Sequence, residues 1–213
     1  WSVRFLTTCR KTSDSPTPKG VEVALENGVD SIEHGAKPNA HITELFKETG
    51  AFQVATLCPA LPYGLFDCEV SHATKEQKAN GKVVFNGIVE MAKGNIAHGV
   101  PVGLGTDTAC PFVTQYDMWR ELDFYGKYCG VSNAFALYTG TLLNATLAGV
   151  GDVTGSIEVG KCADMIVTKK NPLDNLSVLR HVQMVVKDGV VYDHPQVKKI
   201  PEVEAEMDKF NRV

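Results

Sequence analysis

The stretch Val100-Pro101-Val102-Gly103-Leu104-Gly105-Thr106-Asp107-Thr108 decides how the rest of the chain is read. It is a short apolar run without polar alternation, and it ends abruptly on a carboxylate. A run of that kind suits a strand buried on both faces, which is the condition of strands in parallel sheets. Such sheets present their functional groups at the carboxyl ends of the strands, so Asp107 stands where a strand hands over to chemistry. Aspartate also caps turns after strands. The flanking sequence has to decide between the two.

Upstream, Val3-Arg4-Phe5-Leu6-Thr7 reads as a strand, and the polar, Pro-bearing segment from Thr7 to Thr17 reads as a loop. A first helix is expected from Pro18 through Val21, Ala24 and Leu25 to Gly28. Val29 to Gly35 is then a short strand closing on His34. A second helix follows from an Asn39 cap through Ile42, Leu45 and Phe46 to Gly50. Ala51 to Leu57 is a further strand, Pro59 to about Thr74 a long loop, and Lys75 to His98 a helical pattern interrupted by Gly81, Gly87 and Gly94. This alternation predicts βα units around a parallel sheet, with His34 and Asp107 at the carboxyl ends of two strands.

Downstream, Gln115 to Tyr128 and the segment capped by Ser132 read as helices. Beyond Gly151 the texture changes to β. The expected strands are Gly155 to Gly160, Ala163 to Thr168, Val182 to Val186 and Val190 to Tyr192, with Asp188-Gly189 as a hairpin turn. The tail from Pro195 predicts one exposed helix, Glu202 to Phe210. The divisions are thus 1–150 with the candidate site, 151–194 with the β texture, and 195–213 as a charged tail.

Composition excludes several partners. Among 213 residues, 44% are hydrophobic and 22% charged, with a formal net charge of -4. That leaves no basic field for nucleic acid and no polybasic segment for a membrane. No apolar run reaches the roughly 18 residues that span a bilayer, and a cytoplasmic location is expected. The six cysteines form no Cys-x-x-Cys pair, which predicts free thiols.

Gly28-Val29-Asp30-Ser31-Ile32-Glu33-His34-Gly35, the strand ending Gly105-Thr106-Asp107, Thr141-Leu142-Leu143-Asn144-Ala145, and Gly155 to Asp164 followed by Asn171-Pro172-Leu173 occur in an order that resembles the amidohydrolase superfamily. The branch it is most similar to is that of imidazolonepropionase-like and Xaa-Pro dipeptidase-like enzymes. The resemblance, over Pro18 to Tyr192, implies the later βα units of a metal-bearing (β/α)8 barrel, an α/β fold, beside part of a small β-sandwich. It implies that His34, ending the sixth strand, binds a divalent metal, zinc above all, as one of one or two ions. It also implies that Asp107, ending the eighth, contacts metal and water and shuttles the proton. The substrate implied is a small cyclic amide or dipeptide-like molecule.

Around Asp107, Thr106 and Thr108 are expected to orient the carboxylate. The loops holding Tyr63 and Phe112 are expected to line an apolar substrate pocket. His98 suits a helix end. His41 and His72 suit exposed positions, His181 and His194 carry no expected role, and Glu33 points to the side opposite His34.

The sequence also departs from the resemblance. A His-x-His pair on the first strand, a lysine or glutamate on the fourth and a histidine on the fifth are expected of the family, yet no histidine precedes His34. The fifth strand should lie within Trp1 to Ser15, where Cys9 is a metal ligand only in principle. Trp1 in place of Met predicts the carboxyl-terminal half of a longer enzyme. An uncovered sheet edge predicts a homo-oligomer or association with a complementary amino-terminal segment. The rival expectation is a catalytically incomplete homologue serving as a scaffold or partner-binding subunit.

Overall fold

Residues 10–212 are described by a computed structural model. The expected strand Val3 to Thr7 and Cys9 lie outside them. Four short strands, β1 (Thr12–Asp14), β2 (Ser31–Glu33), β3 (Phe52–Val54) and β4 (Val102–Gly103), form one sheet in that order. Every pairing is parallel, with Ser13 opposite Ile32, Ile32 opposite Gln53, and Gln53 opposite Val102.

β1 corrects the reading of Thr7 to Thr17 as loop. Thr-Ser-Asp offers no apolar alternation, so nothing local marks it as a strand. Its side chains are instead used across the pair: the Thr12 hydroxyl donates to Glu33 Oε1 at 2.6 Å, which also accepts from Ser31 at 2.8 Å. Glu33 is thereby engaged with its neighbours in the sheet.

The helices after β1 and β2 form where their caps predict. In α1 (Pro18–Glu26) the Thr17 hydroxyl accepts from Gly20 N–H, and proline occupies the first turn. In α2 (Ala40–Thr49) Asn39 Oδ1 accepts from Ile42 N–H at 2.9 Å, and Gly50 ends the helix at φ 68°. Val21, Leu25, Ile32, Ile42, Phe46 and Met91 pack into one core between these helices and the sheet.

Pro59 to Thr74 is not a loop. It holds α3 (Leu57–Gly64) and the single turn α4 (Cys68–Ser71). Pro59 fits the first turn, where no intrahelical N–H bond is required, and the apolar residues Leu57, Cys58 and Leu61 are buried. The following α5 (Lys75–Ala97) runs unbroken for 23 residues from a Thr74 capping box. Its glycines are places of close approach: a Cβ on Gly81 would lie 2.7 Å from the Tyr63 backbone, and one on Gly87 2.7 Å from Lys37 N.

The helix expected over Gln115 to Tyr128 is shorter, α6 (Met118–Phe124), and widens into a π segment over Tyr125–Cys129. Ser132 caps α7 (Asn133–Tyr138), which passes through a second π segment (Thr139–Leu143) into α8 (Asn144–Leu147). After it, β5 (Met165–Val167), β6 (Met184–Lys187) and β7 (Val190–Asp193) form an antiparallel sheet. The β6–β7 connection is the expected hairpin, with Asp188 at φ 51° and Gly189 at φ 78°. Gly155 to Gly160 corrects its expectation: it forms turns rather than a strand.

The tail is also corrected, because it is docked rather than exposed. In α9 (Pro201–Asp208), Glu204 and Met207 are buried. The fully buried Arg120 lies 3.1 Å from Asp117, 3.1 Å from Glu204 and 2.7 Å from Asp208. Arg180 adds contacts to Glu204 and Asp208, and Asn211 and Arg212 donate to Asp123. The Arg120 and Arg180 guanidiniums both lie over the Trp119 ring, at 4.8 and 5.1 Å from its centroid. Among the described residues the cysteines are free thiols, and no helix is long and apolar enough to cross a membrane.

Candidate active site

The carboxyl ends of three neighbouring strands share an unusual backbone feature. His34 directly after β2, Thr56 shortly after β3 and Asp107 in the turn after β4 have φ of 61°, 55° and 46°. Non-glycine residues rarely adopt this region, at a cost of roughly 1–3 kcal/mol each, and they concentrate where function imposes them.

At His34 this backbone ends the strand's alternation, so the imidazole need not follow the face that β2 dictates. Its Nε2 lies 3.3 Å from Asp107 Oδ2 and 3.9 Å from Asp14 Oδ1. The structure thus brings the two residues expected from the sequence together, across the intervening β3. Asp14, which sequence reasoning missed, joins them from the end of β1. Its only signal was position: it stands three residues before the cap of the next helix, a handover like that from His34 to Asn39.

Buried amides hold these ends. Gln53 of β3 donates to the His34 carbonyl at 2.9 Å and accepts from Asn95 of α5 at 2.9 Å. Gly35, at φ 103°, admits this packing, since a Cβ there would fall 2.6 Å from Met91 Sδ. Asn144 spans the Leu104 peptide groups, donating to the carbonyl at 2.6 Å and accepting from the N–H at 2.8 Å. The Thr141–Ala145 motif therefore has a structural role, fixing the strand end ahead of Asp107.

Beneath the site lies a buried carboxylate. Glu121 of α6 accepts from Leu57 N–H at 2.5 Å and Cys58 N–H at 2.7 Å, at the start of α3. Burial raises its pKa to about 7, against the lowering effect of the Cys58 thiol and the two N–H groups. Burial and the neighbouring Glu121 push the Cys58 thiol up in turn. One helical turn on, the Tyr125 hydroxyl accepts from Ala55 N–H at 3.3 Å and donates to the Gly103 carbonyl. Glu121 and Tyr125 together tie α6 and the π segment after it to the ends of β3 and β4.

The other expected site residues fall differently. The Thr106 and Thr108 hydroxyls meet each other 3.0 Å apart, across Asp107. Phe112 packs edge-on to Phe66 at 4.9 Å, which stacks on Phe210 at 5.0 Å. Tyr63 lines a cavity of about 420 Å³ with His72, Gln77 and Asn80, and neither His34 nor Asp107 borders it. His98 bonds the Gly94 carbonyl at 2.7 Å, as a helix-end histidine should.

The donor chemistry suits a divalent cation as far as it goes. Two donors sharing one ion at metal–ligand distances near 2.1 Å stand about 3.4 Å apart in tetrahedral geometry, and the His34–Asp107 separation is 3.3 Å. Among the described residues no group of three or more His, Cys, Asp or Glu side chains is gathered as around a bound ion.

The sequence pattern of the amidohydrolase family matches residues 17–192. Among solved structures, a candidate prolidase from Bifidobacterium longum is 36% identical with a TM-score of 0.90, over 93% of this chain and 50% of that one. A Xaa-Pro dipeptidase solved with methionine in its active site is 29% identical with a TM-score of 0.73, over 85% and 44%. The ochratoxinase of A. niger is 27% identical with a TM-score of 0.73, over 88% and 42%. The chain therefore spans about half the length of these relatives. No curated protein matches it.

Proposed function

The chain belongs to the amidohydrolase family, and from that membership we propose that it carries part of the active site of a metal-dependent hydrolase acting on a C–N bond of a small amide or dipeptide-like substrate. The observation that carries the reading is the convergence of His34 and Asp107 at 3.3 Å from two strand ends. The fold we assign to the whole enzyme is a (β/α)8 barrel with β1 to β4 as its last four strands, and β5 to β7 as part of a small sandwich. Residues 1–150, 151–194 and 195–213 are the corresponding divisions.

His34 and Asp107 would hold a divalent cation, zinc by family resemblance, together with ligands from other strands. The chemistry such a cation would supply is a more acidic bound water and a polarised scissile carbonyl. Asp107 would accept the proton of the attacking water and return it to the leaving nitrogen. Gln53 fixes the His34 backbone, and Asn144 fixes the strand that delivers Asp107. The prolidase-like relatives favour dipeptides with a carboxyl-terminal proline as first substrates.

The test joins these residues to the amino-terminal half of the Bifidobacterium protein and follows hydrolysis of Xaa-Pro dipeptides and N-acyl amino acids with added zinc. Asp107→Asn is expected to lower kcat by about a thousandfold, within the range a general base contributes, while the circular dichroism spectrum stays unchanged. Retained turnover in that variant overturns the assignment. A folded, metal-loaded hybrid inert on every substrate favours the scaffold reading.

A further inference from the structure

The two edges of β3 end differently. Toward β2 the backbone ladder reaches the site itself: Phe52 N–H donates to the Asp30 carbonyl at 2.9 Å, and His34 N–H to the Val54 carbonyl at 2.8 Å. His34 is thus placed by main-chain pairing. Toward β4, Gln53 N–H donates to the Pro101 carbonyl at 3.0 Å. Rungs of a parallel pair are evenly spaced and recur every second residue, so the next would join Ala55 N–H to the Gly103 carbonyl. A side chain occupies that rung. The Tyr125 hydroxyl accepts from Ala55 N–H at 3.3 Å and donates to the Gly103 carbonyl.

Tyr125 and Ala55 are both fully buried. Burial, with Glu121 nearby, holds the phenol well above its ordinary pKa, so the hydroxyl keeps the proton it donates. Past Gly103 the chain is held by Asn144 at Leu104, again by a side chain, and Asp107 follows. The two side chains belong to the π segments: Tyr125 opens the first, and Asn144 directly follows the second. Widened turns of this kind are frequent at functional sites.

We infer that Tyr125 is a positioning residue of the candidate site: by carrying a β3–β4 rung on its hydroxyl, it sets where Asp107 stands relative to His34. A rung that passes through an oxygen holds its N–H and carbonyl farther apart than a direct bond of about 2.9 Å does. The strand end that leads to Asp107 follows that spacing. Main-chain pairing therefore fixes one partner of the 3.3 Å contact, and a helix side chain fixes the other. The rung stands by itself, whereas its use in catalysis rests on the hydrolase reading above.

Crystal structures of the 213-residue chain and its Tyr125→Phe variant test this without any assay of activity. With the hydroxyl gone, Ala55 N–H and the Gly103 carbonyl should close to about 2.9 Å. The His34–Asp107 separation should then depart from 3.3 Å by more than about 0.5 Å, the tolerance of a working site. An unchanged separation overturns the inference, because the hydroxyl would then only satisfy two buried polar groups. Proton NMR of the parent chain gives a second reading that needs no variant. A slowly exchanging Tyr125 hydroxyl proton in contact with the Ala55 amide is expected, and one exchanging as freely as an exposed phenol's removes the rung and the inference. In the hybrid with the Bifidobacterium amino-terminal half, Tyr125→Phe should lower kcat by about ten- to a hundredfold, as a misplacement near 1 Å does, while KM stays unchanged. A raised KM with kcat intact counts against positioning. If the parent hybrid is inert, the hydrolase reading falls, and the two crystal structures still decide what Tyr125 does.

Discussion

Glu121 is a fully buried carboxylate whose two oxygens receive the first two N–H groups of α3. Its pKa, raised by burial from an ordinary 4.5 to about 7, ties stability to pH. Between those values the unfolded chain has already released a proton that the folded chain keeps. Its contribution is therefore full below about pH 4.5 and is lost as the pH rises through about 7. Glu121→Gln removes that dependence. The variant should be less stable than the parent at pH 5, and the gap should close by roughly 1–3 kcal/mol by pH 7.5, because each tenfold difference in proton affinity between the folded and unfolded chain is worth about 1.36 kcal/mol. Urea unfolding at both pH values measures it, and a gap independent of pH refutes it. At this scale, Asp107 was legible because it closes an apolar run, and His34 because it closes a short strand between two capped helices within a motif that resembles the family's. Asp14, Gln53 and Glu121 were not: Asp14 closes a wholly polar segment, and the roles of the other two depend on partners distant in sequence.

Elements that announce themselves through caps and apolar spacing were legible. Pro18, Asn39 with Gly50, and Asp188-Gly189 all act as their chemistry requires. The misread elements each hide their cause. β1 is polar because Thr12, Ser31 and Glu33 bond side chain to side chain across it. α3 carries two prolines, which read as breaks until one is placed in a first turn. The glycines of α5 looked like interruptions, yet two of them are contact points. Gly81→Ala should destabilise by about 1–3 kcal/mol, because its Cβ would meet Tyr63 backbone and overpacking costs that much. Gly94→Ala has open space around it and should stabilise by about 0.5–1 kcal/mol through helix propensity. Thermal unfolding of the pair checks both signs, and equal effects would show that close approach does not decide the α5 sequence.

At the scale of the molecule, a long-range tie joins α6 to the tail. Charge content alone made residues 195–213 look like a solvated helix, since a buried arginine cannot be recognised from composition. The buried Arg120 pairs with Asp117, Glu204 and Asp208, and Arg180 shares the last two. Removing the Arg120 guanidinium takes away the ion pair of the buried Asp117, while Glu204 and Asp208 keep Arg180, and breaking a buried pair costs about 3–5 kcal/mol. Arg120→Ala should lower the free energy of unfolding by that amount in urea titration. A loss below about 1 kcal/mol, the worth of an exposed pair, would mean that the acids find water instead. The same arrangement makes the chain its own optical probe. Trp119 lies against two cations, both paired with acids of α9. With Trp1 changed to Phe, indole emission would come from Trp119 alone, and its colour and intensity would register whether the tail is seated, with no label attached.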